Sequence, residues 1–174
     1  MNAVRATAPL CVNLQVAVDG PEMPDGVDCE RWVGATLAAA GRDVTGAVTI
    51  RLVTEQESAA LNSTYRDKPG ATNVLAFAGP EEIIGGATAG RALPELGDLA
   101  ICLPVACREA DEQGKPPVEH LAHLVVHGTL HLIGYDHQHA ADAAHMESLE
   151  VGVLDGLGIA NPYLFPESTN DSKT

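Results

Sequence analysis

Apolar and polar residues alternate over residues 10–18, LCVNLQVAV, and this period of two predicts a strand. The turn-rich PEMPDG at 21–26 follows, and the period then changes. Residues 27–40 carry a helical pattern that ends at Gly41, a residue suited to the left-handed turn after a helix. A second strand is predicted over 47–53. Thr54-Glu55-Gln56-Glu57 has the form of a capping box, and it opens a helix that runs to about Tyr65. The stretch RDKPGAT at 66–72 reads as a loop, and residues 73–77 as a short apolar strand. Residues 79–94, rich in Gly and Ala, read as a flexible loop. Another apolar strand is predicted over 98–103. Pro104 opens a helix that ends near Gly114, because a first helical position does not need the N–H that proline lacks. Two more helices are predicted, at 118–132 and 139–157, and the polar tail after Phe165 is expected to fray.

Strands and helices therefore interleave. The expected fold is α+β, or α/β layered: a mixed sheet of about four strands with about five helices packed on it. Strand order does not follow from the pattern. A chain of 174 residues fits one domain, expected over residues 1–165, with residues 166–174 as a disordered tail. Such a length can bury a core without disulfides. Aromatic residues make up 3% of the chain, so Ala, Val and Leu must fill that core. No run of about 18 apolar residues offers a transmembrane helix, and the first residues do not read as a secretory signal. Cys11, Cys29, Cys102 and Cys107 form no CxxC pair and read as reduced thiols of a cytoplasmic protein. A net charge of −14 counts against generic binding to nucleic acid, so any RNA contact needs a local basic patch. The same acidity fits a saline cytoplasm or a basic protein partner.

All seven histidines lie between residues 120 and 145. The informative stretch is 127–137, HGTLHLIGYDH. His127 and His131 stand four residues apart on a predicted helix, so both rings share one face and can reach one ion. Gly134 can then break the helix, and the chain returns His137 toward the same point. Three neutral imidazoles suit one Zn²⁺ at about 2.0–2.1 Å and leave a fourth position for water, as catalytic zinc sites do. The ion lowers the pKa of that water and polarises a carbonyl or phosphoryl oxygen. Ni²⁺ or Cu²⁺ also fit imidazole ligands. The spacing equals that of the metzincin proteases, HExxHxxGxxH, but Gly128 stands where their catalytic Glu stands. Peptide hydrolysis by their mechanism is therefore not available.

The histidine stretch resembles the signature of the YbeY family, bacterial endoribonucleases of ribosomal RNA maturation. Residues 61–77, LNSTYRDKPGATNVLAF, resemble its LNxxYRxK…TNVLSF segment, and residues 96–104, LGDLAICLP, its LGDIxIxxP strand. EHLAHLVV at 119–126 leads into the histidines as in the family, and Asn161-Pro162-Tyr163 is similar to its closing DPY. The resemblance covers about residues 45–163. It implies a metal-dependent, single-strand-specific ribonuclease acting in 16S rRNA 3′-end maturation and ribosome quality control. It implies one zinc ion held by His127, His131 and His137, and Arg66 as the functional arginine. A guanidinium there can hold a phosphate by two parallel hydrogen bonds and stabilise charge developing on phosphorus. Expected partners are ribosomal RNA and ribosome-associated proteins, with no membrane and no DNA. Asp67-Lys68-Pro69-Gly70 departs from the family's GKDY-like residues, and Asp67 sets a negative charge beside Arg66.

Other residues carry two readings each. Asp136 either orients a ligand ring or sits in a solvent-facing turn. His123, four before His127, either supports the site or is simply packed. His120, His139 and His145 read as surface residues. Thr72 and Asn73 either bind phosphate or shape their loop. Arg51, Arg66 and Lys68 lie close in sequence, with Arg91, Arg108 and Lys115 beyond, and either gather into a positive groove or scatter. Few aromatic residues are available for base stacking. Three functions remain: the endoribonuclease, a non-catalytic ribosome assembly factor that carries zinc, and a hydrolase of another bond, which Gly128 disfavours. No general base is evident.

Overall fold

The computed structural model describes residues 9–20, 23–80 and 94–164. The chain opens with strand β1, Leu10–Val16, and helix α1, Gly26–Ala39. It continues with β2, Gly46–Val53, and α2, Glu55–Arg66, and then with two strands in succession, β3, Val74–Ala78, and β4, Glu95–Cys102. Three helices complete it: α3, Leu103–Glu112, α4, Pro117–Leu132, and α5, Ala140–Gly156. The sheet has the order β1-β2-β4-β3. β1, β2 and β4 run parallel, and β3 pairs antiparallel with β4 at the sheet edge. The expected α+β architecture, a mixed four-stranded sheet with five helices, is the one observed.

Alternation along the strands divides the core. Val48, Ile50 and Leu52 of β2 and Leu99 and Ile101 of β4 join the main cluster with Trp32 and Val33 of α1 and Leu121, Val125 and Leu130 of α4. The intervening residues Val53, Ala100 and Cys102, with Leu75 of β3, form a smaller cluster on the other face. Leu61 of α2 and Val105 of α3 cover that cluster. Thus α4 and α2 lie against opposite faces of the sheet. Each large side chain so buried contributes about 1.5–3 kcal/mol, which is why the central strands need no other support.

Gly128 explains how closely α4 approaches. It is buried, and a Cβ there would stand 2.7 Å from Leu99 Cδ2. The position faces the sheet, so any larger side chain there has to displace Leu99.

Local chemistry sets most boundaries, with several refinements. Asp25 caps α1 through a full capping box with Asp28, which the sequence pattern did not single out. At α2 only half of the predicted box forms: Thr54 accepts from the Glu57 N–H, while the Glu57 carboxylate turns to the Arg51 guanidinium at 2.7 Å. A salt bridge to a strand residue thus outcompetes the local contact. β4 starts at Glu95, three residues before its predicted start. Its register with β2 shifts so that Ala47 pairs with Glu95 and Val48 with Gly97, leaving Leu96 as a bulge. Gly97 carries φ 137°, and a Cβ on it would meet the Phe77 carbonyl oxygen at 2.2 Å. Most of the predicted loop at 79–94 and the predicted tail at 166–174 lie outside the described residues. No disulfide joins Cys11, Cys29, Cys102 or Cys107. No helix among the described residues is long and apolar enough to cross a membrane.

Candidate metal centre

α4 carries His127 and His131 one turn apart near its C-terminal end. Gly134 then ends the helix at φ 99°. The Tyr135 N–H reaches the Leu130 carbonyl at 3.0 Å, and the Gly134 N–H reaches that of His131 at 3.1 Å. These paired bonds form the Schellman cap that glycine permits. Asp136 stabilises the return: its Oδ1 accepts the N–H of His137 at 2.7 Å and of Gln138 at 3.3 Å. Asp136 is thus an exposed turn residue, because the backbone N–H groups beside it engage its carboxylate. His137 swings back, and one ligand atom from each of His127, His131 and His137 lies within 4.8 Å of the others.

The donor set fits a metal ion. His127 Nε2 and His131 Nε2 face each other at 3.1 Å. Two nitrogens on a tetrahedral zinc of about 2.0–2.1 Å radius stand about 3.3 Å apart. Nδ1 of His127 bonds the Glu150 carboxylate, which accepts only, so the ring carries its proton there. The Tyr135 backbone is a hydrogen-bond partner of the His131 ring. His127 therefore presents a bare lone pair at Nε2 toward His131 Nε2, and the two nitrogens are spaced for one cation to bind both. Burial, then neighbouring His127 and His137, push the His131 imidazole below its ordinary range, toward the neutral form that ligates.

Glu150 is the residue that sequence reasoning missed. It lies on α5, 0% exposed, and its carboxylate is the hub of the site. His127 Nδ1 bonds one oxygen, while the other receives the Tyr163 hydroxyl and His123 Nε2 at 3.4 Å. Burial alone raises this carboxyl, but the hydrogen bonds from His123, His127 and Tyr163 outweigh it and hold the group down at about 2. Burial and the Glu150 carboxylate push the Tyr163 phenol up, so it stays a donor. A carboxylate behind a ligating histidine fixes its tautomer and orientation. The signal for Glu150 was weak, since α5 has no marked apolar face and one acid among several on it has no local mark.

The remaining histidines separate. His123 joins the Glu150 hub. His120, expected at the surface, is only 3% exposed and faces Glu109 at 3.3 Å. The correction follows from its position on the side of α4 that meets α3. Burial lowers its pKa further than Glu109 raises it. His139 and His145 are exposed as expected.

Arg66 shares no contact and no cavity with the ligand atoms among the described residues. It ends α2 across the sheet from α4, exposed, and makes no hydrogen bond or ion pair among the described residues. Its neighbour Tyr65 stands edge-on to Phe77 with ring centroids 5.2 Å apart. Of the two arrangements open to the basic residues, a positive groove is disfavoured, because Arg51 pairs with Glu57 and Arg108 with Glu55. Arg66 and Lys68 remain as exposed cations without an acidic partner among the described residues, and Arg91 lies outside them. Thr72 and Asn73 shape their loop. The Thr72 N–H donates to Ser58 Oγ at 3.0 Å, and Asn73 binds the Val74 N–H at 2.7 Å and Glu109 at 3.3 Å.

A mixed four-stranded sheet with three histidines converging at the end of a covering helix defines a class of α+β proteins with an open, metal-competent site. The chain belongs to the Endoribonuclease YbeY family, whose model matches residues 26–158. A protein of Alkalilimnicola ehrlichii named Endoribonuclease YbeY is 51% identical over 83% of this chain and 85% of its own length. One of the same name from Nitrosococcus oceani is 47% identical over 88% of this chain and 97% of its own. The solution structure of a Thermotoga maritima protein shares the fold, with TM-score 0.51 at 22% identity over 94% of this chain and 99% of that one.

Proposed function

We propose that this chain is a zinc-dependent endoribonuclease that cuts single-stranded RNA in the cytoplasm, in 16S rRNA 3′-end maturation and ribosome quality control. The metal ligands are His127, His131 and His137. One observation carries this reading: His127 Nε2, its Nδ1 already engaged by Glu150, faces His131 Nε2 at 3.1 Å. The family membership and the names of the relatives supply the substrate class. When bound, the ion lowers the pKa of water and polarises a phosphoryl oxygen. Glu150 holds the His127 ring in the ligating tautomer. Arg66 offers parallel N–H donors to a phosphate. Ribosomal partners add affinity that an acidic body with few free cations lacks.

Gly128 supports a second reading, a zinc-carrying assembly factor that binds RNA through a partner and never cuts it, since the helix supplies no glutamate base. Elemental analysis of untagged protein purified without added metal comes first. About one zinc in the wild type and almost none in His127→Ala/His131→Ala is the expected result. Chelator-sensitive cutting of a single-stranded RNA, lost in Arg66→Ala with metal retained, then separates the enzyme from the factor. Well-folded wild type without metal overturns the reading.

A further inference from the structure

A cavity of about 320 Å³ opens between α4, α5 and the segment that carries Tyr163, and His127 and His137 line it. Two acidic residues also line it, Glu147 and Glu150. Glu150 is consumed, since three donors converge on its buried carboxylate. Glu147 is different. It lies three residues earlier on α5, which puts it on the same side of the helix as Glu150. It is exposed, makes no hydrogen bond or ion pair among the described residues, and lies close enough to Tyr163 to act on its hydroxyl. Gly128, in the position where a metzincin carries its base, is sealed against Leu99. Asp136 is engaged by two backbone N–H groups.

From this elimination and placement we infer that Glu147 is the catalytic general base of the site, an inference that rests on the endoribonuclease reading above. The attacking water gives its proton to a Glu147 carboxylate oxygen as its own oxygen bonds to phosphorus. The bond from phosphorus to the leaving ribose oxygen breaks, and that oxygen takes the proton from Glu147. Water is thus split across one phosphodiester bond, and the carboxylate is restored. The Glu150 anchor gives Glu147 its aim, because it ties α5 to the His127 ring one helical step away.

The test compares wild type with Glu147→Gln, Glu147→Ala and Glu147→Asp. Metal content, affinity for a single-stranded RNA oligonucleotide, and kcat and KM for its cleavage are measured for each. A positioned base contributes about 10²–10⁴-fold. Glu147→Gln and Glu147→Ala should lose kcat by that factor, while KM, RNA affinity and the single bound metal stay near wild type. Glu147→Asp should recover part of the rate, and added formate should restore part of it to Glu147→Ala. Wild-type kcat in Glu147→Gln overturns the assignment, as does metal lost in step with activity, which would make Glu147 a ligand. A wild type that cuts no RNA overturns the endoribonuclease reading and this inference with it. A wild type that cuts alongside an equally active Glu147→Gln overturns this inference alone.

Discussion

The two faces of the sheet are built to different standards. Against one face, α4 and α5 hold His127 and His131 in a network of partners: Glu150, His123, Tyr163 and the Tyr135 backbone. Against the other face packs α2, which ends in Arg66; Arg66 and the following Lys68 are exposed, without an acidic partner among the described residues. A metal ligand must be held to fractions of an ångström, so its neighbours are fixed first. A phosphate contact acts through charge and tolerates movement, so the guanidinium can wait in solvent. Order belongs to the chemistry, and freedom belongs to the capture of a flexible strand.

The comparison breaks most decisively at the ligands. His127→Ala/His131→Ala should abolish metal binding while the helix stays folded, which elemental analysis beside a thermal melt will report. Gly97 tests the seam between the faces. A Cβ there meets Phe77 O at 2.2 Å and Leu132 Cδ2 at 2.8 Å, under a positive φ. Gly97→Ala should cost about 3 kcal/mol of stability, read by urea denaturation. Glu150→Gln leaves three donors facing an amide that is itself part donor. Metal affinity should fall about 10–100-fold in a chelator competition, with loss of the Nδ1–H tautomer of His127 in ¹⁵N spectra of the apo protein. Arg66→Ala should leave metal affinity unchanged and weaken single-stranded RNA binding, reducing its salt slope by about 0.7. Equal loss of metal in Arg66→Ala would erase the division between the faces. The smallest effect concerns His120. Its pKa is lowered by burial, so the unfolded chain binds the proton more readily. Stability should therefore rise with pH through the folded and unfolded pKa values and fall as the pH drops below about 6.5, an increment that His120→Gln removes.

Much of this was legible because it is local. His127, His131, Gly134 and His137 lie within eleven residues of chain, and helix geometry with one glycine turn suffices to converge them. Pro104 at a helix start and Gly41, Gly114 and Gly134 past helix ends have the positions their backbone chemistry predicts. The Thr54 cap was legible, but the fate of Glu57 was not, since Arg51 reaches it from a strand. His120 misled for the same reason: a polar residue on a helix says nothing of which neighbouring helix covers it.

By itself, then, the sequence determined the elements, the mixed α+β class and the triad of histidines, because hydrophobic period, capping and i,i+4 spacing act over a few residues. Only the tertiary structure decided the strand order, the packing of α2 on the sheet face opposite α4, and the close contact of Gly128 with Leu99. It alone brought Glu150, Glu147 and Tyr163 to His127, since those contacts form only when α5 and the closing segment dock on α4. A carboxylate distant in sequence carries no local trace of the imidazole it will meet.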